Sequence, residues 1–528
     1  MSGSIRSDFL VGAMGGGTEL PSPALFGGDM SYFSSRGRTC VSASQAILSG
    51  LAPDGGLFVP SYYPSLTQAD MEQLVDMTYP ERAAKILSMY LEDYTPDEIR
   101  ESVRAAYSQE RFDDPAVAPV HNLDGCTCVL ELFHGPTLAF KDMALQLLPH
   151  LMRQAARKAG EEREICILVA TSGDTGKAAL EGFRDVEGTS CVVFYPRDGV
   201  SDIQRLQMVT TGGRNTHVLA VEGNFDDCQR GVKELFESES FATAMAERGK
   251  ILSSANSINF GRLVPQIVYY ISAYADLLAR GSIRMGQDVQ FVVPTGNFGN
   301  ILAGYYARCM GLPIRRLICA SNRNDVLTDF FNTGIYSLRR MFHRTISPSM
   351  DILVSSNLER LLYESADRDG ELVSTWMRQL RECGSYGVGD QRMEWMRGVF
   401  YADYADDPDT LQEIRDVFVQ DHYLMDPHTA VASRVLRNYR RRTGDETLCV
   451  IVSTASPFKF AQSVAAAIQG EAAVRNLDAF ACSDILSSVS ERPVPAQVQA
   501  LRTLPVVHQD VCGACTEDMA QSVLHVLK

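Results

Sequence analysis

One lysine in this sequence stands where a reactive amine is easily activated. Lys141 lies near the end of a segment that joins an apolar strand to a helix, His134-Gly135-Pro136-Thr137-Leu138-Ala139-Phe140-Lys141-Asp142. A lysine must lose its proton before it can form an imine with an aldehyde. Burial lowers a lysine pKa by roughly 3–5 units, whereas a helix N-terminus contributes less than about one unit. The apolar residues before Lys141 therefore predict activation mainly by desolvation. The alternative is a surface lysine paired with Asp142.

Two glycine-rich turns each follow an apolar strand and open a helix. They are Thr171-Ser172-Gly173-Asp174-Thr175-Gly176 and Pro294-Thr295-Gly296-Asn297-Phe298-Gly299-Asn300. Small residues let the backbone approach a ligand, and free N–H groups at a helix start attract an anion. The second turn lacks the Lys-Ser/Thr ending of a P-loop and does not match G-x-G-x-x-G, which favours a small phosphate group over a triphosphate or dinucleotide. An ordinary capped turn is the alternative for each.

Two further segments concentrate hydroxyl and amide groups. In the first, residues 253–261 lead to Arg262. The planar guanidinium of Arg262 either binds a phosphate through paired hydrogen bonds or forms a structural salt bridge. In the second, Ser453 and Thr454 follow a strand, and a hydroxyl there faces a ring nitrogen or caps the next helix. Together the segments supply a lysine, a phosphate cradle, a second anion site and a hydroxyl. This set suits a cofactor that carries an aldehyde and a phosphate, acting on an anionic substrate.

Strands that alternate with helices are predicted to position these groups. The predicted strands are residues 128–133, 164–170, 190–194, 289–293 and 448–452, and helices are predicted after Lys141, over 175–183 and from about 300. Such alternation indicates a parallel sheet covered on both faces, which binds ligands beyond the carboxyl ends of its strands. Before this region, residues 68–104 are predicted to form several helices broken near Pro80 and Pro96. Residues 323–407 show no clear pattern and are expected to be an insertion or subdomain.

Composition narrows the class of protein. The chain has 528 residues, which predicts two to four domains, and its net charge of −16 argues against nucleic acid and against a polybasic membrane anchor. No apolar run of about 18 residues predicts a membrane span, and the first 30 residues lack the apolar core of a signal peptide. The 13 cysteines are typical of reduced thiols in a core, and the single Cys512-x-x-Cys515 pair is weak evidence for a metal. We therefore expect a cytoplasmic protein without a metal.

In their order along the chain, these segments resemble the threonine synthase family. The lysine segment and both glycine-rich turns resemble that family's motifs, as do residues 50–60, 426–431 and 453–460, and the matches run from about Met30 to Gly470. The resemblance implies an α/β fold of the second structural class (fold type II) of pyridoxal-phosphate enzymes, with two parallel-sheet domains around a cleft and a small N-terminal domain. The implied divisions are a flexible lead-in at 1–29, an N-terminal domain at 30–120, a catalytic region at 121–480 whose smaller part is roughly 165–285, and a C-terminal extension at 481–528.

The resemblance also implies an activity and a set of site residues. The family converts O-phospho-L-homoserine and water to L-threonine and phosphate with pyridoxal 5'-phosphate, by elimination at Cγ and addition of water at Cβ. Lys141 would hold the cofactor as a Schiff base, and Asp174 would lie near its phenolic oxygen, provided that it is protonated or points away. Thr454, in preference to Ser453, would bind the pyridine nitrogen. The cofactor phosphate would be held by Gly296, Asn297, Phe298, Gly299 and Asn300. The substrate would be bound by Thr137, Ser172, Thr175, Ser257, Asn259 and Arg262. A monomer or homodimer is expected.

Two positions depart from the family pattern and keep other activities open. Ser456 stands where the family commonly has a histidine, and Lys177 is not the expected residue after the first glycine-rich turn. The change at Ser456 affects the expected addition of water, so a related phospho-lyase that yields 2-oxobutyrate is the main alternative. A serine/threonine dehydratase, which would not need Arg262, is a second alternative. A non-catalytic ligand-binding descendant is a third.

Overall fold

The computed structural model describes residues 30–171, 173–198 and 200–528. The lead-in expected at 1–29 and the candidate substrate residue Ser172 therefore lie outside the described residues. Within these ranges, no helix combines the length and the apolar character needed to cross a bilayer.

Residues 30–107 form three short strands and four helices on a shared apolar core. They are β1 (Tyr32–Ser34), β2 (Cys40–Val41), α1 (Ala43–Ser49), β3 (Phe58–Pro60), α2 (Gln68–Asp76), α3 (Tyr79–Tyr90) and α4 (Pro96–Ala106). Strand β1 pairs antiparallel with both β2 and β3. As predicted, the helices break near Pro80 and Pro96, because each proline lies in the first turn of its helix, where a missing N–H removes no helical hydrogen bond.

The following residues build two sheets in turn. Residues 120–158 contribute β4 (Val120–Asn122), β5 (Thr127–Glu131), α5 (Asp142–Leu145) and α6 (Leu148–Lys158). Residues 164–253 contribute β6 (Glu164–Ala170), α7 (Asp174–Phe183), β7 (Thr189–Pro196), α8 (Asp202–Val209), β8 (Thr216–Glu222), α9 (Phe225–Glu237), α10 (Glu239–Ala246) and β9 (Lys250–Ser253). The strands at 164–170 and 189–196 cover those predicted from their continuous apolar runs, which are typical of parallel strands buried on both faces.

The remaining elements return to the first of these sheets and extend both. They are α11 (Phe260–Ala279), β10 (Val289–Pro294), α12 (Gly299–Cys309), β11 (Ile314–Ser321), α13 (Val326–Thr333), β12 (Ile335–Ser337), a 3₁₀ turn (Pro348–Met350), α14 (Leu358–Ser365), α15 (Gly370–Cys383), β13 (Ser385–Gly387), α16 (Asp390–Val399), β14 (Phe400–Tyr404), α17 (Asp407–Asp421), α18 (Pro427–Thr443), β15 (Cys449–Ser453), a second 3₁₀ turn (Pro457–Phe460), α19 (Ala461–Gln469), α20 (Glu471–Val474), α21 (Ala479–Ser490), α22 (Ala496–Ala500), β16 (Val511–Gly513) and α23 (Thr516–Val526).

Two parallel sheets carry the site. The larger has six strands in the order β14-β11-β10-β15-β5-β4, all parallel except β4. The smaller has five parallel strands in the order β16-β8-β7-β6-β9. The predicted α/β fold with two parallel sheets and a small N-terminal unit is therefore confirmed. All four of the segments proposed at strand ends follow β5, β6, β10 and β15, so the chain gathers them at the carboxyl edges of the sheets.

The C-terminal residues are built into the fold. Strand β16 adds to the edge of the smaller sheet beside β8, and α23 covers α9 on the same face. The strands contributed by residues 164–253 are thus joined by one from the expected extension at 481–528, and α11 packs against α12 and α3 instead of the smaller sheet. The domain boundaries drawn from the sequence stay predictions, but the smaller sheet is assembled from two distant parts of the chain.

Candidate active site

Lys141 lies at the start of α5 with its side chain 13% exposed. Its Nζ is 3.3 Å from Ser349 Oγ and 3.5 Å from Asp174 Oδ2. The alternative of a surface lysine paired with Asp142 is wrong, because Asp142 is fully buried and its carboxylate accepts two 2.8 Å hydrogen bonds from Thr137. The amine is therefore mostly buried beside Asp174 and Ser349, as the apolar neighbours predict.

The environment of Lys141 favours its neutral form. Burial lowers the pKa of Lys141, Asp174 opposes this, and the positive charges of Lys459 and Arg262 lower the pKa further. The net direction is downward from the usual lysine value. A lysine with a lowered pKa holds more of the free amine at neutral pH, which is the form that reacts with an aldehyde.

Asp174 is the anionic centre of the site. Lys459 Nζ lies 2.8 Å from its Oδ1, which also accepts from Gln204 Nε2 at 3.0 Å. Ser349 Oγ donates to its Oδ2 at 2.8 Å. Burial would raise the pKa of Asp174, but Lys459 and Lys141 outweigh this and hold the pKa well below its usual value. These contacts favour the ionised carboxylate, which is directed at two lysines. Its place near the phenolic oxygen of the cofactor stays a prediction.

The second glycine-rich turn has the features of a phosphate cradle. Phe298 precedes α12 in the left-handed conformation, with φ of 62°, and no side chain among the described residues caps the start of this helix. The Oδ1 of Asn300 accepts from Tyr269 and Tyr270 at 2.6 and 2.8 Å, which turns the amide so that its buried Nδ2 has no partner among the described residues. An uncapped helix start and a free amide donor are features that favour binding of an anion.

This turn lies directly beside the lysine. A Cβ on Gly296 would come 2.9 Å from the carbonyl oxygen of Ser349, the residue whose hydroxyl contacts Lys141. Residues 355–357 also hold the turn, since Ser355 Oγ donates to the Gly296 carbonyl and the Asn357 amide donates to the Asn297 carbonyl. Asn297 itself is exposed and contributes its backbone to this packing. Lys141 and the cradle therefore lie on two sides of one residue.

Arg262 is a buried cation without a carboxylate partner among the described residues. It is 3% exposed, and its Nη1 donates to the Ala255 carbonyl at 2.6 Å. Its Nε is buried with no partner among the described residues, and burial lowers the pKa of Arg262 to about 10. The alternative of a structural salt bridge is therefore wrong. Because an isolated buried charge is costly, a site of this kind is suited to an incoming anion.

Thr454 and Ser453 differ in what their hydroxyls do. Ser453 Oγ shares a 2.8 Å hydrogen bond with Thr429 Oγ1, whereas the Thr454 hydroxyl makes no hydrogen bond within the described ranges. The Thr454 carbonyl accepts from the Phe140 amide at 2.8 Å, which places Thr454 next to the lysine segment. Thr454 is the hydroxyl that remains available to a ligand. Ser456 is also buried nearby, and its amide donates to the Leu138 carbonyl.

Several other candidates serve the protein itself. All of the polar atoms of the Asn259 amide are engaged, since it caps α11 at Gly261 and donates to the carbonyls of Ile47 and Ser254. The hydroxyl of Thr137 donates to Asp142. These bonds shape the loops around the site, and contact of either residue with a substrate stays a prediction. Thr175 and Ser257 are partly exposed beside the site, and the Ser257 carbonyl accepts from Asn357.

Lys177, the unexpected residue after the first turn, has a structural role. Its Nζ lies 2.5 Å from Glu181 Oε1 and 2.7 Å from Thr211 Oγ1, and the pair is buried. This ion pair lies within α7 and makes no contact with Lys141.

Comparisons with known proteins agree with this site. Residues 31–107 match a model of the threonine synthase N terminus, residues 115–389 match a model of pyridoxal-phosphate dependent enzymes, and residues 429–519 match a model of the threonine synthase C-terminal region. This chain belongs to the pyridoxal-phosphate-dependent threonine synthase family. Its predicted family is therefore confirmed.

Individual relatives support the same family. The chain is 41% identical to a threonine synthase of Pseudomonas aeruginosa, over 84% of this chain and 91% of that protein. A crystal structure of pyridoxal-phosphate-bound threonine synthase from Brucella melitensis superposes with a TM-score of 0.83 at 37% identity, covering 95% of this chain and all of that one. A threonine synthase-like 1 protein of Macaca fascicularis is 44% identical over 81% of this chain. The chain spans 58% of the length of that relative.

The site contains residues that the sequence did not reveal. Lys459 and Gln204 hold Asp174, and Ser349 lies between Lys141 and the cradle. The Ser349 amide in turn donates to His428 Nε2 at 3.1 Å, and His428 Nδ1 contacts Asp426 at 2.6 Å. The sequence offers one signal for Lys459 and His428, because they lie within segments 453–460 and 426–431 that resemble the family, although no role was assigned to either. Ser349 lies in the irregular stretch at 323–407, and no local pattern indicates it.

Proposed function

We propose that this chain is a threonine synthase that converts O-phospho-L-homoserine and water to L-threonine and phosphate with pyridoxal 5'-phosphate. The observation that carries the proposal is the position of Lys141, a mostly buried amine of lowered pKa that shares Ser349 as a neighbour with an uncapped helix start. An amine and a phosphate cradle on either side of one residue match the two ends of this cofactor. Arg262 supplies the second anion site that a phosphorylated substrate needs.

The residues present fit this cofactor. Lys141 would bind its aldehyde carbon, while the backbone of residues 296–300 and the free Nδ2 of Asn300 would hold its phosphate. The hydroxyl of Thr454 would face its ring nitrogen. The contacts of Asp174 with two lysines favour its ionised form, so it would accept hydrogen bonds from those amines and orient them, and would not act as a neutral acid that donates to the cofactor. The cofactor supplies an electron sink that makes the protons next to its attachment point removable.

The protein's own groups would then bind, orient and move protons. The Nζ of Lys141 is the base at hand for protons on the substrate, because its lowered pKa favours the neutral form that accepts them. Arg262 would bind the substrate phosphate and stabilise the charge that develops as this group leaves. The hydrogen bond from its Nη1 to the Ala255 carbonyl already orients the guanidinium.

A phospho-lyase that yields 2-oxobutyrate is the second candidate, and Ser456 is the observation that favours it. The position commonly holds a histidine in the family, and a buried serine there removes an imidazole that would guide water. The two activities separate on their products. Purified protein is incubated with pyridoxal phosphate and O-phosphohomoserine, and the products are resolved by chromatography. Threonine and phosphate in equal amounts support the synthase, 2-oxobutyrate with phosphate supports the lyase, and no phosphate release contradicts both.

A further inference from the structure

Lys459 is a buried cation next to Lys141 that the proposed reaction does not use. It lies in the 3₁₀ turn after β15, and its side chain is fully buried. Its Nζ is 2.8 Å from Asp174 Oδ1 and donates to the Thr137 carbonyl at 2.9 Å. A lysine buried this completely persists only where its charge is met, and here it is met by Asp174.

The two lysines compete for one carboxylate. Lys459 contacts Asp174 Oδ1 at 2.8 Å, the distance of a strong charge-assisted hydrogen bond, whereas Lys141 is 3.5 Å from Oδ2. The remaining short contacts of the carboxylate, from Gln204 to Oδ1 and from Ser349 to Oδ2, also go to groups other than Lys141. The carboxylate is thus held chiefly by partners that do not take part in the chemistry.

We propose that Lys459 is a positioning residue that draws the Asp174 carboxylate away from Lys141 and so keeps the Lys141 amine free to react. The inference rests on the proposed function, in which Lys141 binds the cofactor. A lysine that forms a close pair with a carboxylate is held as an ammonium and is not a nucleophile. A second ammonium nearby has the opposite effect, because like charges disfavour each other.

Each charged group that faces Lys141 fits this account. Asp174 on α7 favours the ammonium, whereas Lys459 after β15 and Arg262 on α11 disfavour it, as does burial. Asp142 adjoins Lys141 in sequence but is bound by Thr137. Removing Lys459 takes away one cation and leaves Asp174 to pair with Lys141. Both changes shift the pKa of Lys141 upward.

The test measures the Lys141 amine directly, in the full chain without cofactor. Trace labelling with acetic anhydride across a pH series, read by mass spectrometry of the Lys141 peptide, gives the fraction of free amine at each pH. In K459M we expect the titration of Lys141 to move to higher pH, with about a tenfold loss of labelling at pH 8 for each unit of the shift. The double variant K459M/D174N removes both charges, and its Lys141 should label at least as readily as in the unmodified protein.

Two further variants separate positioning from folding. K459R keeps the charge and should hold Lys141 labelling within about threefold of the unmodified protein. K177M is the matched control, because Lys177 is also buried and paired with a carboxylate on α7 yet makes no contact with Lys141. It should leave the Lys141 titration in place.

Either of two results would overturn the inference. The first is that the Lys141 titration in K459M is unshifted, and the second is that Lys141 in the double variant labels as slowly as in K459M. Should circular dichroism show K459M to be unfolded, K459Q carries the test, because its side-chain amide is uncharged yet can still donate to the Thr137 carbonyl, and the Lys141 titration must then move to higher pH. Since no cofactor or substrate is used, a failure of the proposed function is detected separately, in the product assay.

Discussion

At the scale of single residues, the site contains a buried cation that pairs with no carboxylate of the described residues. Lys459 contacts Asp174, whereas the guanidinium of Arg262 donates to the Ala255 carbonyl and its Nε has no partner in the described part of the chain. Burying a charge without a partner costs roughly several kcal/mol. A ligand of opposite charge would offset this cost. Two anionic groups, one on the cofactor and one on the substrate, would supply the missing negative charge. The site is therefore electrostatically incomplete by itself.

Arg262 offers the sharpest test at this scale. We expect R262Q to lower kcat/KM for O-phosphohomoserine by about 100-fold, because loss of a buried charge-assisted contact is worth roughly 1.5–3 kcal/mol. Steady-state kinetics measure the effect, and R262K should recover only part of the activity, since an ammonium cannot form the planar fork. A serine or threonine dehydratase activity that is unchanged in R262Q would instead indicate an unphosphorylated substrate.

At the scale of elements, the turn before α12 depends on the absence of a side chain at Gly296. A Cβ there would lie 2.9 Å from the Ser349 carbonyl, and backbone cannot yield easily. We expect G296A to weaken binding of pyridoxal phosphate by about tenfold or more and to destabilise the fold by about 1–3 kcal/mol, as overpacking does. Titration of the protein with cofactor, followed by absorbance, measures the first effect.

Gly398 in α16 provides the matched control for that substitution. A Cβ at Gly398 meets nothing within 4 Å. G398A should therefore leave cofactor binding unchanged, and should stabilise the helix by up to about 1 kcal/mol. Equal cofactor affinity in G296A and the unmodified protein would show that the turn does not approach the ligand closely.

The elements that the sequence predicted share a local signal, and those that it missed do not. The strands at 164–170 and 289–294 are continuous apolar runs ahead of glycine-rich turns, so both strand and turn are visible in a short window. In contrast, β14 is defined by its parallel pairing with β11, and β16 is a three-residue strand defined by β8. Asp403 interrupts the apolar residues of β14, and three residues are too few for β16 to show a pattern.

The candidate site follows the same division. Lys141, Arg262, Asn300 and Thr454 were predicted because each lies in a segment of distinctive residue types. Ser349 and Lys459 were not, because their importance arises from contacts with Asp174 and Lys141, which lie far away in the sequence. The same limit explains Asn259, whose amide is polar and well placed but is consumed by contacts with Ile47 and Ser254.

At the scale of the whole molecule, the site joins parts of the fold that are built separately. Asp174 begins a helix of the smaller sheet, whereas Lys141 and Lys459 follow strands of the larger sheet. The contacts between them link the two sheets. The C-terminal β16 and α23 complete the smaller sheet, so they support the site from a distance.

That support predicts a cost for changes near the C-terminus. Met519 on α23 is fully buried, and a Cβ on Gly231 of α9 would lie 2.2 Å from its sulfur, which shows how closely the two helices pack. We expect M519A to reduce the free energy of unfolding by about 2–5 kcal/mol, measured by urea denaturation. Val507 is 52% exposed, and V507A should change it by less than about 0.5 kcal/mol. Equal stabilities for the two variants would mean that the C-terminal residues are a dispensable appendage.

The most direct measurement of the central claim is where pyridoxal phosphate attaches. The purified protein is mixed with the cofactor, its absorbance spectrum is recorded, and the sample is reduced with borohydride before peptide mapping by mass spectrometry. We predict a visible absorbance band that reduction removes, with the added mass on Lys141 and none on the neighbouring Lys459. A protein that stays colourless, or a cofactor mass fixed to Lys459 or to a surface lysine, would contradict the account.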